Sequence, residues 1–250
     1  RVTSDHSLMV DGEEVRPENL DVEEDVLDNT WDCPPVDNSL NSIMGLAAGN
    51  DAGFIIGMMA GDGGYDSKNG RFYFAVSQDD ILDRVKGAVE RTGMGHLSVG
   101  DYYEGGFEDG KGRTAIVNNA SLSKEASDII SGDSLTKTIS GKVLNAGLET
   151  IKGVVEGYIA ADGSVESTGS GSYLVRTWSR SEDLRDGIST LLWALQIPHS
   201  KRYRRHNGDD NYIISIGRDG IERMDDMCID LPGKKGEAIN EAIYEYEHNR

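Results

Sequence analysis

FIIGMMAGDG (Phe54–Gly63) and VVEGYIAADG (Val154–Gly163) are two runs of one kind, set one hundred residues apart. Each is apolar and small, about ten residues long, and ends in Asp-Gly. A single apolar run closed by Asp-Gly is commonplace, because Asp and Gly are ordinary turn residues. The weight lies in the segments downstream of each run, since they repeat as well. After a Gly-containing turn come the alternating segments RFYFAVSQ from Arg71 and SYLVRTWS from Ser172, which predict half-buried strands. Next are DDILDRVKGAVERTGM from Asp79 and SEDLRDGISTLLWALQI from Ser181. In these, Ile81, Leu82, Val85, Ala88 and Val89, and then Leu184, Ile188, Leu191, Leu192 and Leu195, fall at the three-four spacing of an amphipathic helix. KRYRRHN and NYIISIG predict a strand pair around a turn at Gly208-Asp209; HLSVGDYYE and GRTAIVNNA close the first copy across a Gly-rich acidic loop. The unit helix, two strands, helix, two strands, with room for a further helix, therefore occurs twice, and the fold class is α+β.

Read as helices, the two runs carry small residues four apart, on one face: Gly57 and Gly61 in the first, Gly157 and Ala161 in the second. Small residues at that spacing let two helix backbones approach closely. Such packing relates the two halves by a pseudo-twofold axis and delivers Asp62 and Asp162 side by side at the helix C-terminal ends. Gly63 and Gly163 are expected in the left-handed conformation that stops a helix. Two carboxylates at the negative ends of two helix dipoles are unfavourable unless a cation sits between them. Hard divalent ions such as Mg2+ take oxygen ligands and share coordination with phosphate oxygens. The expected reaction is metal-dependent phosphodiester hydrolysis, one Asp serving each strand.

The charge balance pulls the other way. With 44 Asp+Glu against 25 Lys+Arg, the net charge of −19 argues against a nucleic-acid partner, whose phosphates need Lys and Arg. Two features restore it. Acid spread over solvated faces is what a protein adapted to high salt carries. The base is also concentrated: HSKRYRRH (His199–His206) holds Lys201, Arg202, Arg204 and Arg205. An ordinary solvated strand is the competing explanation. With a period of two, Lys201, Tyr203 and Arg205 share one face and Arg202 and Arg204 the other, and the sequence leaves open which meets a partner. Lys68 and Arg71 in the first half, and Arg176, Trp178 and Arg180 in the second, complete the candidate contacts. There is no run of eighteen apolar residues and no signal-like start, so the expectation is a soluble cytoplasmic protein with no membrane partner. Cys33 and Cys228 stand far apart without a CxxC, which excludes a disulfide framework or a thiolate zinc site.

The nine-residue cores IIGMMAGDG (Ile55–Gly63) and VEGYIAADG (Val155–Gly163) resemble the LAGLIDADG motif of homing endonucleases, and the resemblance covers roughly residues 48 to 222. It implies two pseudo-symmetric αββαββα halves, 48–145 and 146–222. Their antiparallel sheets would form a saddle in the major groove of double-stranded DNA with a long, nearly asymmetric target site. It further implies a monomer and a Mg2+-dependent staggered break, with two or three ions shared between the protein and DNA. Asp62 and Asp162 match the acidic metal ligands, and the expected metal site also includes Gly61 and Ala161. Ala60 and Ala160 replace the first Asp of each motif, which is not the ligand. Lys201 is the candidate for the catalytic lysine that orders attacking water, and equally for a phosphate contact.

The flanks resemble an intein. RVTSDHSLMVDGEEVRPENL (Arg1–Leu20) is similar to a block of the splicing (Hint) domain, with Thr3 and His6 at the positions that contact the N-terminal splice junction. An imidazole there can protonate the departing amide nitrogen. DMCIDL, with Cys228, and His248-Asn249 are similar to the two C-terminal blocks, where Asn cyclises. Segments 1–35 and 223–250 are accordingly expected as β-rich Hint flanks joined to host exteins in cis. The pattern departs in three places. Arg1 stands where a Cys or Ser nucleophile belongs, Arg250 where a Cys, Ser or Thr should follow, and GKKGEAINEAIYEYE lacks the usual apolar strand and reads more like a helix. As given, the polypeptide is not expected to splice. The leading expectation is an intein-borne, site-specific DNA endonuclease from a prokaryote, archaeon or virus, with the acidic surface of a halophile. The competing ones are a non-cleaving LAGLIDADG nucleic-acid-binding protein (an RNA maturase or a regulator) and an intein fragment whose function is mainly splicing.

Overall fold

The computed structural model describes residues 8–10, 13–16, 19, 36–66, 68–104, 111–168, 172–206 and 208–248. Thr3, His6, Cys33 and Asn249 lie outside the described residues. The chain divides into two units, Arg1–Pro34 and Pro35–Arg250. In the first, β1 (Leu8–Val10) and β2 (Glu13–Val15) form an antiparallel hairpin with Leu8 opposite Val15.

The second unit opens with a short hairpin, β3 (Ser42–Ile43) and β4 (Leu46–Ala47). Its first half continues as α1 (Asn50–Ala60), β5 (Gly63–Asp66), β6 (Arg71–Val76), α2 (Asp79–Thr92), β7 (Leu97–Val99), β8 (Tyr103–Glu104), β9 (Lys111–Asn118) and α3 (Ala120–Ala126). A small hairpin, β10 (Ile130–Ser131) with β11 (Thr138–Ile139), and a 3-10 turn at Gly141–Ala146 lead into the second half. That half is α4 (Leu148–Asp162), β12 (Gly163–Ser167), β13 (Tyr173–Ser179), α5 (Glu182–Ala194), β14 (Ser200–His206), β15 (Asp209–Ile216), α6 (Arg218–Asp226) and a final helix α7 (Lys234–His248). The two sheets run β5-β6-β9-β7, with β8 on β9, and β12-β13-β15-β14, antiparallel throughout.

Local chemistry accounts for these elements. In α2 the apolar positions Ile81, Leu82, Val85, Ala88 and Val89 are the buried ones; Asp79 and Asp80 sit in the first turn, and Gly93 closes the helix at φ 64°. The Ser181 hydroxyl caps α5 by accepting from the Leu184 N–H at 3.2 Å. In β6, Phe72, Phe74 and Val76 face the core while Arg71 and Tyr73 face out. In β13, Tyr173, Val175, Thr177 and Ser179 face in, and Arg176 and Trp178 out.

The helices α1 and α4 differ from the rest: they are buried nearly all round, as central helices must be. Between them there is room only for backbone. A β-carbon on Gly53 or Gly57 would collide with the Thr150 or Val154 carbonyl oxygen, and one on Gly153 or Gly157 with that of Asn50 or Phe54. The collisions are reciprocal, as a twofold relation between the helices requires. At the start of α1, Arg84 of α2 donates to Asp51 (2.7 Å) and Asn50 (2.6 Å) and also to Glu156 in the middle of α4 (2.8 Å), tying three helices together. Glu156 is only 5% exposed, so this pairing is what makes its charge tolerable there.

Two expectations are corrected. Neither Gly63 nor Gly163 is left-handed; Gly163 is extended (φ −89°, ψ 157°), and both open a strand. Glycine is needed for a different reason. A β-carbon would come within 2.8 Å of the Met58 carbonyl oxygen at Gly63, and within 2.6 Å of the Ile159 carbonyl oxygen at Gly163. The C-terminal segment, placed among β-rich flanks by its likeness to splicing blocks although GKKGEAINEAIYEYE reads more like a helix, is helical where it is described beyond residue 233. Ile239, Ala242 and Tyr246 fall at three-four spacing and are buried, and Tyr246 Oη accepts the Tyr173 N–H at 3.1 Å.

Gly57→Ala and Gly157→Ala should each overpack the α1–α4 contact at a cost of about 1–3 kcal/mol, lowering Tm by about 3–10 °C. Gly141→Ala, which meets no atom within 4 Å, should leave Tm within about a degree. Equal effects from all three in thermal unfolding would contradict the packing described.

Candidate active site and nucleic-acid face

Because α1 and α4 touch along their backbones, their C-terminal ends emerge together. Asp62 and Asp162 share a hydrogen bond there. Asp62 keeps an open surface while Asp162 is half-buried. The protein packed behind them raises both carboxyls above their ordinary value. Asp162 is pushed up to about 7 by burial first and by the neighbouring Asp62 charge second. The pair therefore holds a proton that two separate carboxylates would have released.

Two lysines complete the site, and neither was singled out from the sequence. Lys137, next to β11, directs Nζ at the carbonyl oxygens of Met59 (3.2 Å), Gly61 (3.0 Å) and Gly63 (3.4 Å). Lys235, on α7, directs Nζ at those of Ile159 (2.9 Å), Ala160 (2.6 Å) and Ala161 (3.5 Å). Lys137 thus donates to carbonyls at and just beyond the end of α1, and Lys235 to the last carbonyls of α4, where backbone oxygens run short of partners. Burial lowers the Lys137 pKa, and the charges of Asp162 and Asp62 oppose that shift. A signal for both lysines was present: they stand 75 residues after Asp62 and 73 after Asp162, nearly the same offset in each repeat.

The oxygens around the pair are carboxylate and carbonyl; the Gly61 and Ala161 carbonyls expected to bind metal each also accept from a lysine, Lys137 at 3.0 Å and Lys235 at 3.5 Å. That set fits a hard divalent ion. No third acid, His or Cys joins the pair among the described residues. An ion there would rely on a partner's oxygens for the rest of its shell, the usual situation for Mg2+.

The register resolves the faces of the basic strand. Lys201 pairs with Ile214, which is buried, and Arg202 pairs with Ile213, which in turn faces Trp178. Arg202 and Arg204 thus share the outer face with Arg176 and Trp178, whereas Lys201, Tyr203 and Arg205 lie on the helix side. Lys201 Nζ pairs with Asp186 of α5 at 3.1 Å, and Tyr203 Oη donates to Asp210 at 2.7 Å. Arg176 pairs with Glu166, Arg180 with Asp209, and Arg205 with Asp210 at 3.8 Å. Arg202 and Arg204 have no acidic partner among the described residues. In the first half Arg71 is on the outer face, and Lys68 is exposed in the turn where its N–H donates to Asp66 at 3.0 Å. Cys228 is exposed in the α6–α7 connection at φ 54°, and His248 Nδ1 meets the Tyr244 carbonyl at 2.8 Å near the end of α7. The structure does not bring these two to the acid pair.

Residues 149–228 match the family model described as LAGLIDADG-like domain. The DNA-directed RNA polymerase subunit Rpo1C of Methanocaldococcus jannaschii is 24% identical over 192 residues, covering 70% of this chain and 21% of that protein. The chain thus spans about a fifth of that relative. Among solved structures, full-length DUF199/WhiA from Thermatoga maritima has a TM-score of 0.52 at 11% identity, covering 79% of this chain and 60% of that one. I-DmoI in complex with DNA and Ca has a TM-score of 0.50 at 14% identity, covering 76% and 97%. At these identities the likeness establishes the fold, which is LAGLIDADG-like and shared with a homing endonuclease. No described helix is long and apolar enough to cross a membrane.

Folded Asp162 keeps its proton between 3.8 and about 7, where the unfolded chain has lost it. Its contribution is therefore present at low pH and disappears as pH rises through that window. Without divalent metal, Tm should fall by a few degrees more across it in the wild type than in Asp162→Asn. Added Mg2+ should raise Tm more at pH 8 than at pH 5. Parallel wild-type and Asp162→Asn profiles in calorimetry would contradict the shared-proton geometry.

Proposed function

We propose that this chain is a site-specific homing endonuclease, hydrolysing one phosphodiester in each strand of double-stranded DNA with Mg2+, and that it is carried within an intein. The observation behind this reading is the hydrogen-bonded pair Asp62–Asp162 at the ends of two lysine-capped helices. A destabilised acid pair that gains by binding a cation is a place where charge on a phosphoryl group can be met.

Asp62 and Asp162, both ionised, would hold the metal with the adjoining Gly61 and Ala161 carbonyls; bound there, the ion would supply charge neutralisation and a more acidic water. The ammonium groups of Lys137 and Lys235 can donate hydrogen bonds but not accept them. Standing one to each helix end, they place positive charge where the non-bridging oxygens of either strand gain negative charge. The ordering of attacking water, first assigned to Lys201, passes to this pair, because Lys201 is on the helix side of its sheet and engaged with Asp186. Arg176, Trp178, Arg180, Arg202 and Arg204 would meet the groove and backbone of one half-site, and Lys68 and Arg71 those of the other.

The intein part of the reading rests on Thr3, His6, Cys228, His248 and Asn249 in the sequence. It is also supported by the relative's match being confined to a fifth of a polymerase subunit, as an inserted element would align. Supplying a Cys-containing N-terminal segment in trans and looking for ligated exteins checks it, and no ligation would dismiss splicing for this chain.

With Mg2+ the purified protein should make a staggered break in an intein-less allele. Asp62→Asn and Asp162→Asn should each slow cutting at least ~100-fold with duplex binding retained. Lys137→Met and Lys235→Met should each slow it about 10–100-fold. Undiminished cutting by the double Asn variant would overturn the assignment. Duplex binding without cutting in any divalent metal would replace it by the binding-protein reading.

A further inference from the structure

At one end of the outer face of the second sheet lies a cleft of about 430 Å³, bordered by Arg176, Ser200, Arg202 and Ser215 and by the first turn of α6. Four features make it a place for an anion. Arg202 has no acidic partner among the described residues. Ser215 is only 9% exposed, and its hydroxyl has no hydrogen-bond partner among them either. Helix α6 starts at an extended Gly217 with no side-chain cap, so the N–H groups of its first turn face the cleft without an acceptor of that kind. The space in front of that helix end is open, since a β-carbon on Gly217 would meet only Leu174, at 3.9 Å.

The remaining lining does not fill it. Arg218 turns its guanidinium away, with Nε donating to Glu222 at 3.0 Å and the group stacked over Tyr246. His199 is engaged inward with Ser189 (2.7 Å) and the Ile197 carbonyl (2.8 Å). Asp219 borders the cleft and is the one carboxylate there, set against Arg176 and Arg202. The cleft is also separate from the acid pair. Ser215 lies on β15, two strands across from β12, and neighbouring strands are about 4.8 Å apart. That places it roughly 10 Å over the sheet from the strand that follows Asp162.

We propose that this cleft is a phosphate site, and that its occupant is a backbone phosphodiester of the DNA flanking the cleaved bond. The second half of the statement rests on the endonuclease reading above. Arg202 and the Ser215 hydroxyl would grip the non-bridging oxygens from the sheet while the first turn of α6 receives them end-on. This anchors one half-site by its backbone, independently of base sequence.

The test uses the full chain and two probes. Inorganic phosphate, titrated at fixed ionic strength, should shift the backbone amide resonances of Arg218, Asp219 and Gly220. Gly217→Asp places a carboxylate at the N-cap, where it should seat itself in the first turn and occupy the site. That variant should keep or raise Tm while losing the phosphate shifts, and Arg202→Gln should weaken them. A merely structural role for this end of α6 would not give higher stability together with lost binding. With duplex DNA, each variant should bind several-fold more weakly, with the salt slope reduced by about 1. Absent phosphate shifts, or shifts that survive Gly217→Asp, would overturn the site. Phosphate binding with no competition from duplex would overturn the DNA assignment and leave a free-phosphate site. A wild type that binds no duplex at all would sink the endonuclease reading, while the amide shifts would still decide the cleft.

Discussion

Everything in the second unit depends on one contact, the backbone-to-backbone packing of α1 on α4. Gly53 and Gly57 face Thr150 and Val154, and Gly153 and Gly157 face Asn50 and Phe54, so that no side chain separates the two helices. That closeness forces two helix C-termini into one place. Two sets of unpartnered carbonyls and two carboxylates are thereby gathered where the helix dipoles are negative. Left alone, such a site would push the helices apart. Lys137 and Lys235 offset it from opposite sides by donating to the last carbonyls. Burial first and the neighbouring Asp62 charge second still hold the Asp162 carboxyl high despite the two lysines. Packing enforces the strain, and the strain makes the site receptive.

The two halves share an outline and differ in charge. The outer face of β6 presents Arg71 and Tyr73. That of the second sheet presents Arg176 and Trp178 from β13 and Arg202 and Arg204 from β14. Electrostatic affinity for a polyanion would therefore come mostly from the second half. A chain of net charge −19 can still offer a basic surface, because Arg202 and Arg204, which have no acidic partner among the described residues, lie together on the outer face of the second sheet.

Much of this was legible in the residues because the hydrophobic period changes where the structure changes. It is helical through Met58 and Met59, alternates from Arg71, and becomes helical again from Asp79. The repeat of that sequence of periods identified both halves and both acids. The face of β14 was not legible, since every residue from Ser200 to Arg205 is exposed and no alternation of burial exists to read. Only the pairing of Lys201 with buried Ile214 decides it. Lys137 and Lys235 were missed because one sits beside a short hairpin strand and the other on a helix, so no local motif joins them. Only their similar offset from the two acids does. The left-handed glycine rule failed at Gly63 and Gly163 because it describes a helix that must satisfy its own carbonyls, and here a lysine from elsewhere does so. At the C-terminal segment two signals conflict: short blocks resemble β-rich splicing segments, while GKKGEAINEAIYEYE reads more like a helix, and the helical period at Ile239, Ala242 and Tyr246 is the one the fold follows.

The central claim is that Asp62 and Asp162 are one titrating unit. Carbon-13 NMR of their carboxyl groups, followed against pH in metal-free protein, measures this directly. The account predicts two linked transitions, with the higher near 7, and collapse to a single transition when either residue is changed to Asn. Two independent transitions near the ordinary Asp value, each indifferent to loss of the other residue, would contradict it.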